Sequence, residues 1–145
     1  MATDEQRIGY GLLKPFRREA TDFAAGTGAA LIKSCVRTVI NTRAAGFNGA
    51  LAGEYPWRKN FGCWLHALRH RPINPVQGEK GVVFAAMAIQ RWEPRVVAET
   101  GRSSVLPTSG ADRTKTIRIY YSLSEDVSTD TLPAPYAESY EEAAL

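Results

Sequence analysis

Glu93-Pro94-Arg95 constrains this chain more than any other feature. An apolar helical run, Val82 to Trp92, precedes it and a strand-like run, Val96 to Thr100, follows. Pro94 lacks a backbone N–H and pushes Glu93 out of the helical region, so the helix must stop here. A helix-to-strand corner is predicted, with two opposite charges fixed at a rigid elbow that faces solvent.

In residues 1–26, Gly9-Tyr10-Gly11 and Pro15 argue against a long helix, which leaves a short strand or an extended arm. Thr27 offers a hydroxyl cap, and Leu31, Ile32, Cys35, Val36, Val39 and Ile40 then recur at helical spacing, predicting an amphipathic helix that ends near Arg43 and Gly46. Residues 46–56 read as a loop. Phe61-Gly62-Cys63-Trp64-Leu65-His66-Ala67-Leu68 suggests a short docking helix closed by Pro72 and Pro75, and a third helix is expected from about Lys80 to Trp92. Small alanines on its apolar face allow close approach to a neighbour.

After the corner, 95–100 is expected as a first strand and 103–115 as a loop, with a short strand around Val105-Leu106. The clearest strand pattern is Thr116–Ser124: Ile117, Ile119, Tyr121 and Leu123 point one way, while Thr116, Arg118, Tyr120 and Ser122 point the other. The expected fold is α+β, about three helices packed on a small C-terminal antiparallel sheet or hairpin. One domain would occupy residues 1–124. Residues 125–145, with Pro133, Pro135 and Glu125, Asp126, Asp130, Glu138, Glu141 and Glu142, read as an acidic tail, flexible or partner-bound.

Charge is distributed unevenly. All 18 Lys and Arg lie in residues 1–118 beside nine acidic residues, whereas residues 119–145 hold six acidic residues and no Lys or Arg. A basic body can signal nucleic acid, but the cations are scattered without the aromatic interleaving of a single-strand groove. Assembly against acidic protein surfaces accounts for the same charge. The apolar runs are too short or too interrupted to span a bilayer, and Met1-Ala2-Thr3-Asp4-Glu5 lacks the order of a signal peptide, so a cytosolic start is expected.

Cys35 and Cys63 give neither a disulfide framework nor a cysteine zinc site. Cys63, His66 and His70 have ligand-like spacing, but a tetrahedral site wants a fourth ligand, so no metal is expected. Glycoside hydrolysis needs two carboxyl groups with separated pKa values. The central candidates Glu54, Glu79, Glu93 and Glu99 sit in no recognisable catalytic context. Gly9-Tyr10-Gly11 and Gly26-Thr27-Gly28 are too short for phosphate loops. No catalytic residue and no cofactor are therefore assigned.

The order of Thr42, Gly53-Glu54, Phe61-Gly62 and Glu93-Pro94-Arg95, followed by a terminal hairpin, resembles the baseplate wedge and sheath-initiator family. That family, also labelled lysozyme-like, is shared by contractile phages, type VI secretion and extracellular contractile injection systems. The resemblance covers roughly residues 8–124, and the 101–115 loop and the acidic tail depart from it. It implies a non-enzymatic structural protein, present in six copies in the baseplate of a virion or injection particle after cytoplasmic assembly. Its implied partners are the larger wedge subunits, the sheath protein, and tube or hub proteins, with no nucleic acid and no membrane insertion. Glu93, Pro94 and Arg95 would dock on the helical bundle of the wedge subunits, and Phe61 and Gly62 would form a turn and docking motif. The strand Thr116, Ile117, Arg118, Ile119, Tyr120, Tyr121, Ser122 and Leu123 would be an edge that receives a sheath strand by β-addition. Rival readings are a peptidoglycan-cleaving baseplate enzyme and, on charge alone, a nucleic-acid-binding module.

Overall fold

The computed structural model describes residues 8–14, 16–20, 22–46, 52–69, 71, 74–107, 114–124 and 136–143. The chain begins with β1 (Tyr10–Leu12), β2 (Arg18–Glu19), β3 (Asp22–Phe23) and β4 (Ala25–Thr27). β1 pairs antiparallel with β4 and β2 with β3, so the arm is a folded hairpin. Helix α1 (Gly28–Asn41) follows with Leu31, Ile32, Val36, Val39 and Ile40 buried. Thr27 does sit at its N-cap, but its hydroxyl donates to the Gly9 carbonyl at 2.7 Å rather than capping the helix. The cap residue thus ties α1 back to the start of the hairpin.

Between residues 61 and 68 the structure departs from expectation. The docking helix is a single 3-10 turn, Leu65–Leu68, so the described residues hold two α-helices where about three were expected. Gly62 explains this, because its φ of 114° lies outside any helix. Pro75, read as closing that element, instead opens helix α2 (Pro75–Trp92). Proline suits the first turn, where its missing N–H costs nothing, and Asn74 caps it by accepting from the Gln77 N–H at 2.8 Å.

Beyond the corner come β5 (Val96–Ala98), β6 (Ser104–Pro107), β7 (Thr114–Leu123) and β8 (Tyr136–Ala143). All three pairings with β7 are antiparallel. Tyr121 is paired with Ala98 and Tyr136, and Arg118 with Ser104 and Ser139. Each residue has only two sides, so β5 and β6 share one edge of β7 and β8 takes the other. Residues 99–103 bulge between β5 and β6, held by the Glu99 N–H to the Tyr120 carbonyl (2.8 Å) and the Tyr120 N–H to Ser103 Oγ (3.1 Å).

This arrangement corrects two expectations. The strand over 116–123 is the sheet's interior strand, not an unpaired edge. Part of the segment read as an acidic tail supplies β8; residues 125–135 and 144–145 of that segment lie outside the described residues.

The alternation along β7 holds. Ile117, Ile119, Tyr121 and Leu123 enter the core beneath α2, while Arg118, Tyr120 and Ser122 stay half-buried; Thr116, read with the outward set, is buried, only 8% exposed. Gly81 lets α2 approach, with Ile117 Cδ1 2.5 Å from where a Cβ would stand. Leu65 and Leu68 complete the same cluster.

Gly62 is also where backbone meets backbone. A Cβ there would fall on the Thr42 carbonyl, which accepts from the Cys63 N–H at 2.8 Å. Gly62→Ala is expected to cost roughly 3 kcal/mol, from a backbone region closed to L side chains plus the clash. Urea denaturation would show it as a lower midpoint with unchanged slope.

Candidate assembly interface

The corner has a different geometry from the one the sequence suggests. Glu93 is the C-terminal cap of α2, its N–H donating to the Ile89 carbonyl at 2.8 Å, and its side chain is only 6% exposed. Arg95, half-buried, turns back onto it: Nε donates to Oε1 at 2.6 Å and Nη2 to Oε2 at 2.7 Å. This is the bidentate fork geometry that a guanidinium and a carboxylate share. Nη1 donates to the Ile8 carbonyl at 2.6 Å, and Nη2 also reaches Cys35 Sγ at 3.6 Å. Pro94 alone of the three is exposed.

Glu93 and Arg95 thus do not stand free at a solvent-facing elbow. They join the residue before the first hairpin, the middle of α1 and the α2–β5 corner. The Glu93 carboxylate raises the Arg95 pKa further, keeping the cation permanent. Around Cys35, burial raises the thiol pKa, and the neighbouring carboxylate acts in the same direction.

The other motifs converge at the end of α1. The Thr42 hydroxyl and N–H both donate to the Thr38 carbonyl, at 2.7 and 3.1 Å. The Arg43 N–H donates to Glu54 Oε2 at 3.1 Å, and the Glu54 N–H donates to the Arg43 carbonyl at 2.9 Å. Arg43 also forms a parallel bridge with Cys63. Thr42, Gly53-Glu54 and Phe61-Gly62, scattered in sequence, therefore build one clamp that closes the helix end, where the last carbonyls need partners.

His66 belongs to this clamp, with Nε2 donating to the Asn41 carbonyl at 3.2 Å. Burial holds its pKa below the ordinary value, with Arg69 and Arg43 acting in the same direction against the Asn41 bond and Glu54. Burial pushes the Cys63 thiol up to about 11. No group of three His, Cys, Asp or Glu able to hold a metal occurs among the described residues, and His70 lies outside them.

Sequence reasoning missed an aromatic–cationic cluster beside Phe61. Phe61 packs edge-on to Trp92 with centroids 5.2 Å apart, Tyr55 lies 5.9 Å from Phe61, and Trp57 lies 5.3 Å from Tyr55. Arg58 stacks 4.8 Å and Arg91 5.0 Å from the Trp92 ring. Its signal was present in Tyr55-Pro56-Trp57-Arg58, but Trp92, which joins it, comes from a distant helix. Strand β8 was also missed, because its acidic composition outweighs the faint alternation of Tyr136, Glu138 and Tyr140.

Residues 27–127 match the family model for the baseplate wedge protein gp25. The match spans both helices and the central strand, and the chain belongs to this baseplate wedge family of contractile tails and injection systems. Among solved structures it resembles a chain of the anti-feeding prophage (AFP) baseplate, determined by cryo-EM with six-fold symmetry. That pair has a TM-score of 0.58 at 14% identity, covering 97% of this chain and 89% of that one. A crystal structure from Geobacter sulfurreducens, named a candidate tail lysozyme, aligns with a TM-score of 0.57 at 20% identity over 79% of this chain and 88% of that one. At those identities the two structures speak for the fold. No curated protein matches the sequence. None of the described helices is long and apolar enough to cross a membrane.

Two outcomes test the site's internal chemistry. Arg95→Ala strands a buried carboxylate and is expected to lower stability by roughly 3 kcal/mol; Glu93→Gln costs a similar amount, and the double variant falls short of their sum. Chemical denaturation of all four proteins measures the coupling. For His66, the folded-state pKa lies below the ordinary 6.5, so its contribution is present above that pH and is lost as pH falls through the folded value. Melts at pH 7.5 to 5 should show a decline that His66→Gln flattens.

Proposed function

We propose that this protein is a structural subunit of the baseplate wedge, docked on larger wedge subunits, that starts the sheath by accepting a β-strand. The single observation that carries the reading is membership of the baseplate wedge family over residues 27–127. In this chain the matched region contains β5, β6 and β7 of a four-stranded sheet whose remaining strand, β8, has no second strand partner among the described residues. An unpaired edge offers main-chain N–H and C=O groups in register, which is what strand addition requires. Because β7 is interior, the receiving edge is assigned to β8, with β7 carrying it.

At the corner, Pro94 and the solvent-facing part of Arg95 would meet the wedge partner, and Glu93 would fix the direction of the guanidinium. The expected setting is a six-copy ring that assembles in the cytoplasm and contacts the sheath, with tube or hub proteins nearby. The name of the Geobacter sulfurreducens protein favours a second reading, a peptidoglycan-cleaving enzyme. Against it, Glu93 is held by Arg95, Glu54 by the Arg43 backbone and Glu99 by Arg102 at 3.2 Å. Among the described residues these attachments engage three of the four central candidates, and Glu79, the fourth, is exposed on α2. Muropeptide release by the purified subunit, lost with one Glu substitution, would restore the enzyme reading.

Paired prolines in β8 test strand addition. Backbone N–H groups two residues apart face the same edge, so Glu138→Pro/Tyr140→Pro and Ser139→Pro/Glu141→Pro block opposite edges. The pair that blocks the β7 side should lower the melting temperature of the isolated subunit. The other should leave it folded and incorporated, but yield baseplates with inner tubes and no attached sheath. A normal sheath on particles carrying the pair that blocks the outer edge would overturn strand addition at this edge.

A further inference from the structure

The groove between α2 and the 60–64 segment has an apolar floor and a cationic lip. Trp64, Phe84, Met87 and Trp92 line it, and Arg91 stands at its edge. Along the solvent side of α2, Val76, Val83 and Met87 are exposed by 58, 49 and 47%. Their separations of seven and four residues place them in one stripe, since 3.6 residues make a turn. A surface helix normally turns such a stripe inward. Here the inward face is already occupied by Val82, Ala85, Ala88 and Ile89, so α2 is apolar on two sides.

The cations at the lip are unusual in their partners. Arg58 and Arg91 both stack on Trp92, and among the described residues neither has a carboxylate within ion-pair distance. Lys80 and Arg91, eleven residues apart, project along the same flank of the stripe. Trp57, 81% exposed, extends the surface beyond Tyr55. Exposed aromatics and arginines are the residue types that dominate binding energy at interfaces.

We infer that this groove binds an amphipathic helix from another subunit, with its apolar stripe on Val83 and Met87 and its Asp or Glu side chains on Arg58 and Arg91. The spacing along α2 favours a helical occupant, because steps of seven and four residues are how one helix meets the ridge of another. Charge decides which helix: two guanidiniums held on a ring but without carboxylates are completed by acidic side chains, and a basic helix would be repelled. The inference depends on the baseplate reading only for the source of the helix. The site itself rests on the groove.

The test uses the full-length protein and two fluorescein-labelled 18-residue peptides. Both carry Leu at i, i+3, i+4 and i+7 and Ala elsewhere, with either Glu or Lys flanking the Leu stripe. By anisotropy, the Leu/Glu peptide should bind at least tenfold more tightly than the Leu/Lys peptide. Met87→Asp should weaken it at least tenfold, and the Arg58→Glu/Arg91→Glu double variant should reverse the preference. These side chains are exposed, so circular dichroism should be unchanged in every variant. No binding of the Leu/Glu peptide, equal binding of both peptides, or indifference to the variants would overturn the inference. So would displacement of the peptide by a 15-nucleotide dT oligomer, which would mark the stacked surface as one for single-stranded nucleic acid. Failure here leaves strand addition at β8 untouched, and failure of the β8 prolines leaves this groove untouched.

Discussion

The Arg95 guanidinium holds together parts of the chain that nothing local would align. It takes both oxygens of Glu93, the Ile8 carbonyl and the Cys35 sulfur. These contacts span 87 and 60 residues of sequence to reach Ile8 and Cys35. A buried ion pair of this kind contributes little net stability compared with an apolar replacement, yet removing one partner is costly. Its consequence is therefore geometric. It ties the end of α2 and the start of β5 to the residue before the hairpin and to the middle of α1. Pro94 makes the corner abrupt, and Arg95 makes its direction unique.

Legibility followed the range of the forces involved. The α1 stripe, the stop at Pro94 and the alternation along β7 from Ile117 to Leu123 are periodic or steric facts of short stretches, and each stands in the structure. The turn from helix to 3-10 at Leu65–Leu68 depended on Gly62 meeting the Thr42 carbonyl, a long-range approach with no local mark. Pro75 was ambiguous because proline both closes one element and opens the next; only the Asn74 cap decides it. Strand β8 was hidden by its acids, since pairing with β7 outweighs weak strand preference. The same limit applied at the corner, where the sequence showed two charges and a bend but not that the charges face each other.

These corrections change how a baseplate role would work. A free β7 edge would let an incoming strand lie directly on the core strand. With β5 and β6 on one side and β8 on the other, an added strand would extend the sheet to five and lie beyond β8 rather than on β7. Such an edge offers main-chain N–H and C=O groups to an incoming strand. Meanwhile the α2 groove and the Trp57 side chain supply what the edge lacks: apolar area, aromatic anchors and fixed cations. On the proposed reading, the subunit would offer the β8 edge to a strand and the α2 groove to a helix.

A cryo-EM map of the assembled particle, at a resolution that separates strands, tests this account most directly. The account predicts six copies of the chain, each with a strand of a sheath subunit hydrogen-bonded along the outer edge of β8. Density showing that edge bare in a fully sheathed particle, with the first sheath ring attached elsewhere, would contradict it.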